Sequence, residues 1–392
     1  SDLKESEVRK EPIETLAKLY LRFHKELETD PRLEEEGRAE FRKLEEGDKE
    51  NRRLWEWFRR ESIKELKKLY KLLGVWFTTY IGESFFEKEM KPLVSDLLRK
   101  GVAKESEGSV IVSLEEENLP PALIQKSDGA SLYLTRDIAN LRYRISKFKP
   151  AKMLYVVGNE QTLHFAQLFA IAKILGFPKL HLAHVKYGLL LGEDARKLST
   201  RKGGAVLAKE VIGKAMKLAK SVVAKKNPGL PRKTKDRVAE DVGIGALKYN
   251  ILRENHHSDI VFDWAKMLDI FGETGPYLQY TYARLRSIRR KARGGGKPDV
   301  SLLAKEEELA LIRKFFEFPE ELKRSEETYL TNNLTIYLYE LASLANKFYE
   351  TTPVLKEKNA GLRAARLLLV EVVARTIKQG LALLGIGAPE RI

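Results

Sequence analysis

Between Lys197 and Gly204 the chain reads KLSTRKGG, which places three cations, two hydroxyls and two glycines within eight residues. Lys197, Arg201 and Lys202, with Ser199 and Thr200, have the chemistry to wrap a triphosphate and to stabilise charge that builds at its α-phosphate during transfer. Gly203 and Gly204 would let such a loop move. The Walker pattern GxxxxGK[ST] does not occur at this place, and an exposed basic turn is the plainer alternative. A second set is GNEQTLH, which puts Gly158, Gln161 and His164 at the turn from a strand to a helix. Glycine there permits close approach of a ligand to the backbone, and Gln161 can donate and accept. A satisfied histidine on an inner helix face is the alternative for His164. A third set is Tyr133 with Asp137, able to point into one cleft. Asp137 reads equally well as a helix N-terminal charge, with Thr135 as the cap.

These residues need a frame. From Ser127 the sequence alternates short apolar runs with amphipathic stretches: SLYLT before RDIANLRYRISKF, KMLYVVG before QTLHFAQLFAIAKILG, and KLHLAHVKYGLLLG before the basic loop. Buried strands followed by helices predict βαβ units on a parallel sheet, with ligands beyond the carboxyl ends of the strands. Residues 11–73 show helical periodicity, and GVWFTTYIG and SVIVSL read as β-like runs around the amphipathic EKEMKPLVSDLLRKG. After Gly204 nearly all the chain is helical, ending in a bundle. The predicted class is therefore α/β plus all-α.

Composition narrows the chemistry. The 392 residues include no cysteine, which excludes a disulfide framework, a thiolate nucleophile and Cys-ligated zinc or iron–sulfur sites. The six histidines form no HExxH pair, and no metal-binding residues are expected. Apolar runs such as LLLVEVVA fall short of the roughly 18–20 residues of a membrane span. The charged start, without a signal-peptide core, points to the cytoplasm. A net charge of +15, with 13 Lys/Arg against 4 Asp/Glu between Arg201 and Asn250, favours a polyanionic partner.

Together the pieces resemble the class I aminoacyl-tRNA synthetases, whose second signature loop has the form KMSKS; here it is KLSTR. The flanking text is similar to the arginyl-tRNA synthetases over most of the chain: DGASLYLTRDIANLRYR, YVVGNEQTLHFAQLFAI, HVKYGLLLG, STRKG, VGIGALKYNIL, TGPYLQYTYARLRSI and LALLGIGAPERI follow in that family's order. The resemblance implies four parts. Residues 1–125 would be a connective insertion of the catalytic domain, and 126–205 the second half of its Rossmann-like fold with the KMSKS-like loop. Residues 206–270 would be a helical stem-contact linker, and 271–392 a helical anticodon-binding domain.

The resemblance also implies roles. Tyr133, Asp137 and Gln161 would bind the arginine side chain, Gly158 and His164 would lie near adenosine, and Lys197, Ser199, Thr200 and Arg201 would serve catalysis, with Lys197 and Arg201 on the pyrophosphate side of ATP. Mg²⁺ would come through the phosphates, and tRNA(Arg) and L-arginine would be the partners, with no membrane and no DNA. Tyr277, Tyr280 and Arg284 match the anticodon-domain motif, where two aromatics and an arginine on one helix face suit stacking on unpaired bases; core packing is the alternative for the tyrosines. Ile392 holds the family's closing apolar position, where methionine is usual. One signature is missing: HIGH, on the first βα unit. The string HLAH, His181 to His184, falls within a predicted strand and reads as coincidence. An N-terminally truncated fragment, one half of a split synthetase completed by a separate N-terminal half, and a non-catalytic tRNA-binding module are the competing expectations.

Overall fold

The computed structural model describes residues 5–130, 132–192, 206–226, 228–292 and 296–392, and the chain divides into two units, Ser1–Thr79 and Tyr80–Ile392. The described part of the first unit holds helices α1 (Glu5–Lys10), α2 (Pro12–Leu27), α3 (Arg32–Glu46) and α4 (Lys49–Leu72). Local chemistry sets their limits. Pro12 opens α2, where its missing N–H costs nothing. Gly47, at φ 92°, ends α3 in the left-handed conformation that glycine adopts without strain. The Asp48 carboxylate then accepts from the amides of Glu50 and Asn51 and starts α4.

The second unit opens with α5 (Glu87–Arg99) and a three-stranded antiparallel sheet, β1 (Lys104–Ser106), β2 (Ser109–Val112) and β3 (Ala122–Gln125). Helix α6 (Tyr133–Phe148) leads to β4 (Lys152–Gly158), α7 (Thr162–Ile174) and β5 (His181–Tyr187). Strands β4 and β5 run parallel, in register from Lys152↔His181 to Gly158↔Tyr187. One face of β4 is covered: Met153 and Tyr155 are buried, and the Tyr155 ring lies 5.1 Å from that of Phe165 on α7. On the other face Leu154 and Val156 are open to solvent. A core of Leu97, Ile124, Ile138, Leu141, Leu168 and Ile171 joins α5, β3, α6 and α7.

Two expected strands are not strands. SLYLT alternates as a strand does, yet Tyr133, Leu134 and Thr135 form the first turn of α6. The hydroxyl of Thr135 donates to the carbonyl of Ile124 in β3 and accepts from the amide of Leu132, an anchorage that a strand here would lack. Thr135 is therefore inside the helix, not its cap. GVWFTTYIG carries no regular element, and no strand among the described residues pairs with it.

The strand end that leads into the basic loop is tightly held. Short strands β6 (Leu190–Leu191) and β7 (Ile260–Val261) pair in parallel. Just before β6, Gly188 donates its amide to the carbonyl of His256 at 2.8 Å, and Leu189 to the carboxylate of Asp259 at 2.7 Å. A side chain at Gly188 would collide with the Ser258 backbone, so glycine is required there by space.

The remaining helices are α8 (Ala208–Lys226), α9 (Arg232–Leu252), α10 (Trp264–Met267), α11 (Gly275–Lys291), α12 (Glu306–Thr328), α13 (Asn332–Thr351) and α14 (Ala360–Leu383). Their core includes Tyr249, Leu278, Tyr282, Tyr337, Leu341, Phe348, Val370 and Ile377. Helices α9 and α11 cross closely enough that a Cβ on Gly275 would meet the Gly245 carbonyl oxygen at 2.7 Å. No helix of the described residues is long and apolar enough to cross a membrane.

Candidate active site and nucleic-acid interface

Helix α6 carries Tyr133 and Asp137 one turn apart, a spacing that brings both side chains to one face. Tyr133 is exposed, with the Arg136 guanidinium 5.8 Å from its ring centre. Helix α7 begins beyond the carboxyl end of β4, and its first turn presents His164 to Asp137: Nε2 lies 2.6 Å from the Asp137 Oδ2. Both side chains are half-buried. Gln161 ends the turn Asn159–Gln161 directly before α7 and is exposed. The βα turn therefore supplies Gln161 and His164 from one side while α6 supplies Tyr133 and Asp137 from the other.

Gly158 closes β4 in extended backbone, with φ −60° and ψ 155°. Its open side is occupied by the carboxylate of Glu160, 2.6 Å from where a Cβ would stand, a flexible end that can swing away. The next residue, Asn159, donates its side-chain amide to the carbonyl of His257 at 2.7 Å. Burial, with help from His256, Lys186 and His184, holds the His257 imidazole below the usual histidine range. Lys197, Ser199, Thr200 and Arg201 lie outside the described residues; the described segments beside them are Gly192 and the start of α8.

The HLAH histidines have structural partners. His181 Nε2 lies 2.8 Å from the hydroxyl of Tyr329, and His184 Nε2 donates to the carbonyl of Val157 at 3.0 Å.

The bundle gathers a second site. Thr274 caps α11, its hydroxyl accepting from the amide of Tyr277 at 3.2 Å. On the exposed side of α11 the Arg284 guanidinium lies 4.9 Å from the ring centres of both Tyr280 and Tyr349. It also donates to Asn346 Oδ1 at 2.8 Å. A cavity of about 430 Å³ opens here, lined by Tyr280, Arg284, Arg290, Tyr349, Glu390 and Ile392 among others, Lys291 included. Tyr277 is placed elsewhere: its hydroxyl meets Ser343 and Asn346, and its ring lies 5.4 Å from that of Tyr339, between α11 and α13. Tyr349 and Asn346 did not emerge from the sequence, where one helix face was legible but its partner on α13 was not. Ile392 lines the cavity and packs on the apolar cluster of α8 and α9.

A parallel βαβ unit and a helical bundle with a cationic aromatic cavity match, in sequence, the two domains of a class I aminoacyl-tRNA synthetase. Residues 1–264 match the family model "tRNA synthetases class I (R), catalytic domain", and residues 278–392 match the "DALR anticodon binding domain". The arginine–tRNA ligase 2 of Bacillus anthracis is 42% identical over 389 residues, covering 99% of this chain and 68% of its own length. The arginyl-tRNA synthetase of Thermus thermophilus superposes with a TM-score of 0.82 at 27% identity, over 95% of this chain and 69% of that one. That of Plasmodium falciparum superposes at 0.78 and 25% identity, over 92% of this chain and 62% of that one. The chain belongs to the arginyl-tRNA synthetase family. It spans about two thirds of the length of the curated relatives it matches.

Proposed function

We propose that the chain takes part in the two steps of arginine–tRNA ligation: arginine and ATP give arginyl-adenylate and pyrophosphate, and the adenylate then acylates the terminal ribose of tRNA(Arg). The observation that carries the arginine assignment is the Asp137 carboxylate, half-buried where α6 meets His164 of α7, with Tyr133 one turn before it on α6; Gln161, in the turn directly before α7, would complete the contact. Guanidinium is a planar fork of N–H donors, and a carboxylate accepts two of them in parallel. Gly158 would let adenosine come close to the backbone once the Glu160 carboxylate swings away. Lys197 and Arg201 would meet the leaving pyrophosphate, with Ser199 and Thr200 as hydroxyl partners. Magnesium would enter with ATP, bound through the phosphates. The setting of the reaction would be the cytoplasm.

In this reading the 430 Å³ cavity receives an unpaired base of tRNA. Tyr280 and Tyr349 offer aromatic faces, Arg284 a planar cation, and Arg290 and Lys291 attraction for phosphate. Tyr277 acts behind them by fixing Asn346, which in turn holds Arg284. Tyr349→Ala should weaken tRNA(Arg) binding by about 1–3 kcal/mol, the usual effect of losing one stacking platform. Filter binding at fixed salt measures it, and an unchanged affinity would remove the cavity from the tRNA path.

The overall test is ATP–pyrophosphate exchange with arginine and tRNA(Arg), run on this chain alone and with a separately made N-terminal half. Arginine-dependent exchange, in the mixture or in the chain alone, supports the ligase reading. No exchange in either, with salt-sensitive tRNA binding kept, supports the non-catalytic module instead.

A further inference from the structure

We propose that His164 is a positioning residue that fixes the Asp137 carboxylate for the guanidinium of arginine, and is not a contact to adenosine. The inference rests on the arginine reading of the site. A carboxylate accepts and cannot donate, so at 2.6 Å the hydrogen must be on His164 Nε2. That bond engages Oδ2. Among the described residues Oδ1 has no hydrogen bond, so Oδ1 and the second lone pair of Oδ2 are left to receive the two arms of a guanidinium.

The packing around the pair makes the bond a means of orientation. Asp137 directly precedes Ile138, and His164 directly precedes Phe165; Ile138 and Phe165 are both buried in the core that α6 and α7 share. The two backbones are therefore fixed, and the freedom left to the carboxylate is rotation about its own side-chain bonds. The imidazole is restricted as well, edge-on to the Phe165 ring with centroids 5.1 Å apart. Phe165 in turn lies against His184 of β5, whose imidazole bonds across to the Val157 carbonyl of β4. A chain of packed rings runs from the parallel strands to His164, and His164 passes that rigidity to Asp137. A bidentate contact to a planar fork is sensitive to carboxylate rotation, so a fixed carboxylate gives both affinity and selectivity for guanidinium. With Nε2 given to Asp137, only Nδ1 and the ring faces remain for any other ligand, and separate titrations of arginine and ATP distinguish the two roles.

The test is a double-mutant cycle read by calorimetric titration of L-arginine, and separately of ATP, into the full chain with tRNA(Arg) present. His164→Ala is expected to weaken arginine binding about tenfold and leave ATP binding and melting temperature unchanged. His164→Gln, whose amide nitrogen reaches the place of Nε2, should recover most of the loss, whereas His164→Asn, which mimics Nδ1, should not. In an Asp137→Ala background His164→Ala should have no further effect, because the histidine acts only through the carboxylate. Weaker ATP binding with arginine unchanged would assign His164 to adenosine and overturn the proposal. Equal losses for both ligands with a lower melting temperature would make it a packing residue and also overturn it. If Asp137→Ala weakens arginine binding and His164→Ala does not, this proposal alone fails. If Asp137→Ala has no effect, or the unaltered chain binds no arginine either alone or mixed with the N-terminal half, the arginine reading of the site fails with it.

Discussion

Asp137→Asn is expected to raise the Michaelis constant for arginine by about two orders of magnitude and to leave that for ATP near its original value. The substitution keeps the shape of the side chain and removes its charge. An amide in place of the carboxylate offers one acceptor where guanidinium presents two donors, and turns an N–H₂ group toward a cation. Hydrogen bonds to charged groups contribute about 1.5–3 kcal/mol each, so the loss of one with the pair's Coulombic attraction comes to about 3 kcal/mol, or roughly a hundredfold at 1.4 kcal/mol per decade. His164 can still donate to the amide oxygen, and the half-buried position tolerates an isostere, so the fold should survive. Steady-state exchange kinetics with arginine and ATP varied in turn measure the effect. Equal losses for both substrates would show that Asp137 supports the site as a whole instead of recognising arginine.

The largest expected effect on stability belongs to Arg366. Its guanidinium on α14 is almost fully enclosed, donating to Glu308 at 2.6 Å, to Glu357 at 2.7 Å and to the carbonyl of Pro353 at 2.8 Å. Glu308 is also enclosed, and its second oxygen accepts from the amides of Ala304 and Lys305 at the start of α12. One buried network therefore ties α14 to the first turn of α12 and to the loop before α14. Arg366→Leu would leave the Glu308 carboxylate in the core without its cation, a change that costs about 3–5 kcal/mol. Arg366→Leu with Glu308→Leu should cost less than the single change, because an apolar pair leaves no stranded charge, although the two α12 amides lose their acceptor. Denaturant midpoints of the three chains measure this. A single variant within about 1 kcal/mol of the unaltered chain would mean that water reaches the Glu308 carboxylate.

The elements were largely legible from periodicity. Residues 11–73 and most of the described stretch after Gly204 form helices because apolar side chains recur every three to four positions, and β4 and β5 form parallel strands because KMLYVVG and HLAHVKY are short runs followed by helices or turns, although Leu154 and Val156 leave one face of β4 open instead of buried. The errors came where periodicity is ambiguous. SLYLT alternates over only five residues, too few to separate a strand from the first turn of a helix; the bond from Thr135 to Ile124 in β3 decided it. GVWFTTYIG has strand-forming residues, but a strand exists only with a hydrogen-bonded neighbour, and the described residues provide none.

By itself the sequence determined the order of the chemical groups: a carboxylate four residues after a tyrosine, a glutamine and histidine at a strand-to-helix turn, a basic hydroxyl loop beyond the next strand, and an aromatic pair with arginine on one later helix. It also determined which faces are apolar, and from these the family. Only the tertiary structure decided which groups meet. Asp137 bonds His164 across 27 positions, Arg284 lies between Tyr280 on its own helix and Tyr349 on another, and Arg366 reaches Glu308 across 58 positions. Periodicity states that a face is covered, whereas the identity of the covering residue depends on how whole helices pack side by side. The local sequence pattern at either end does not encode that arrangement.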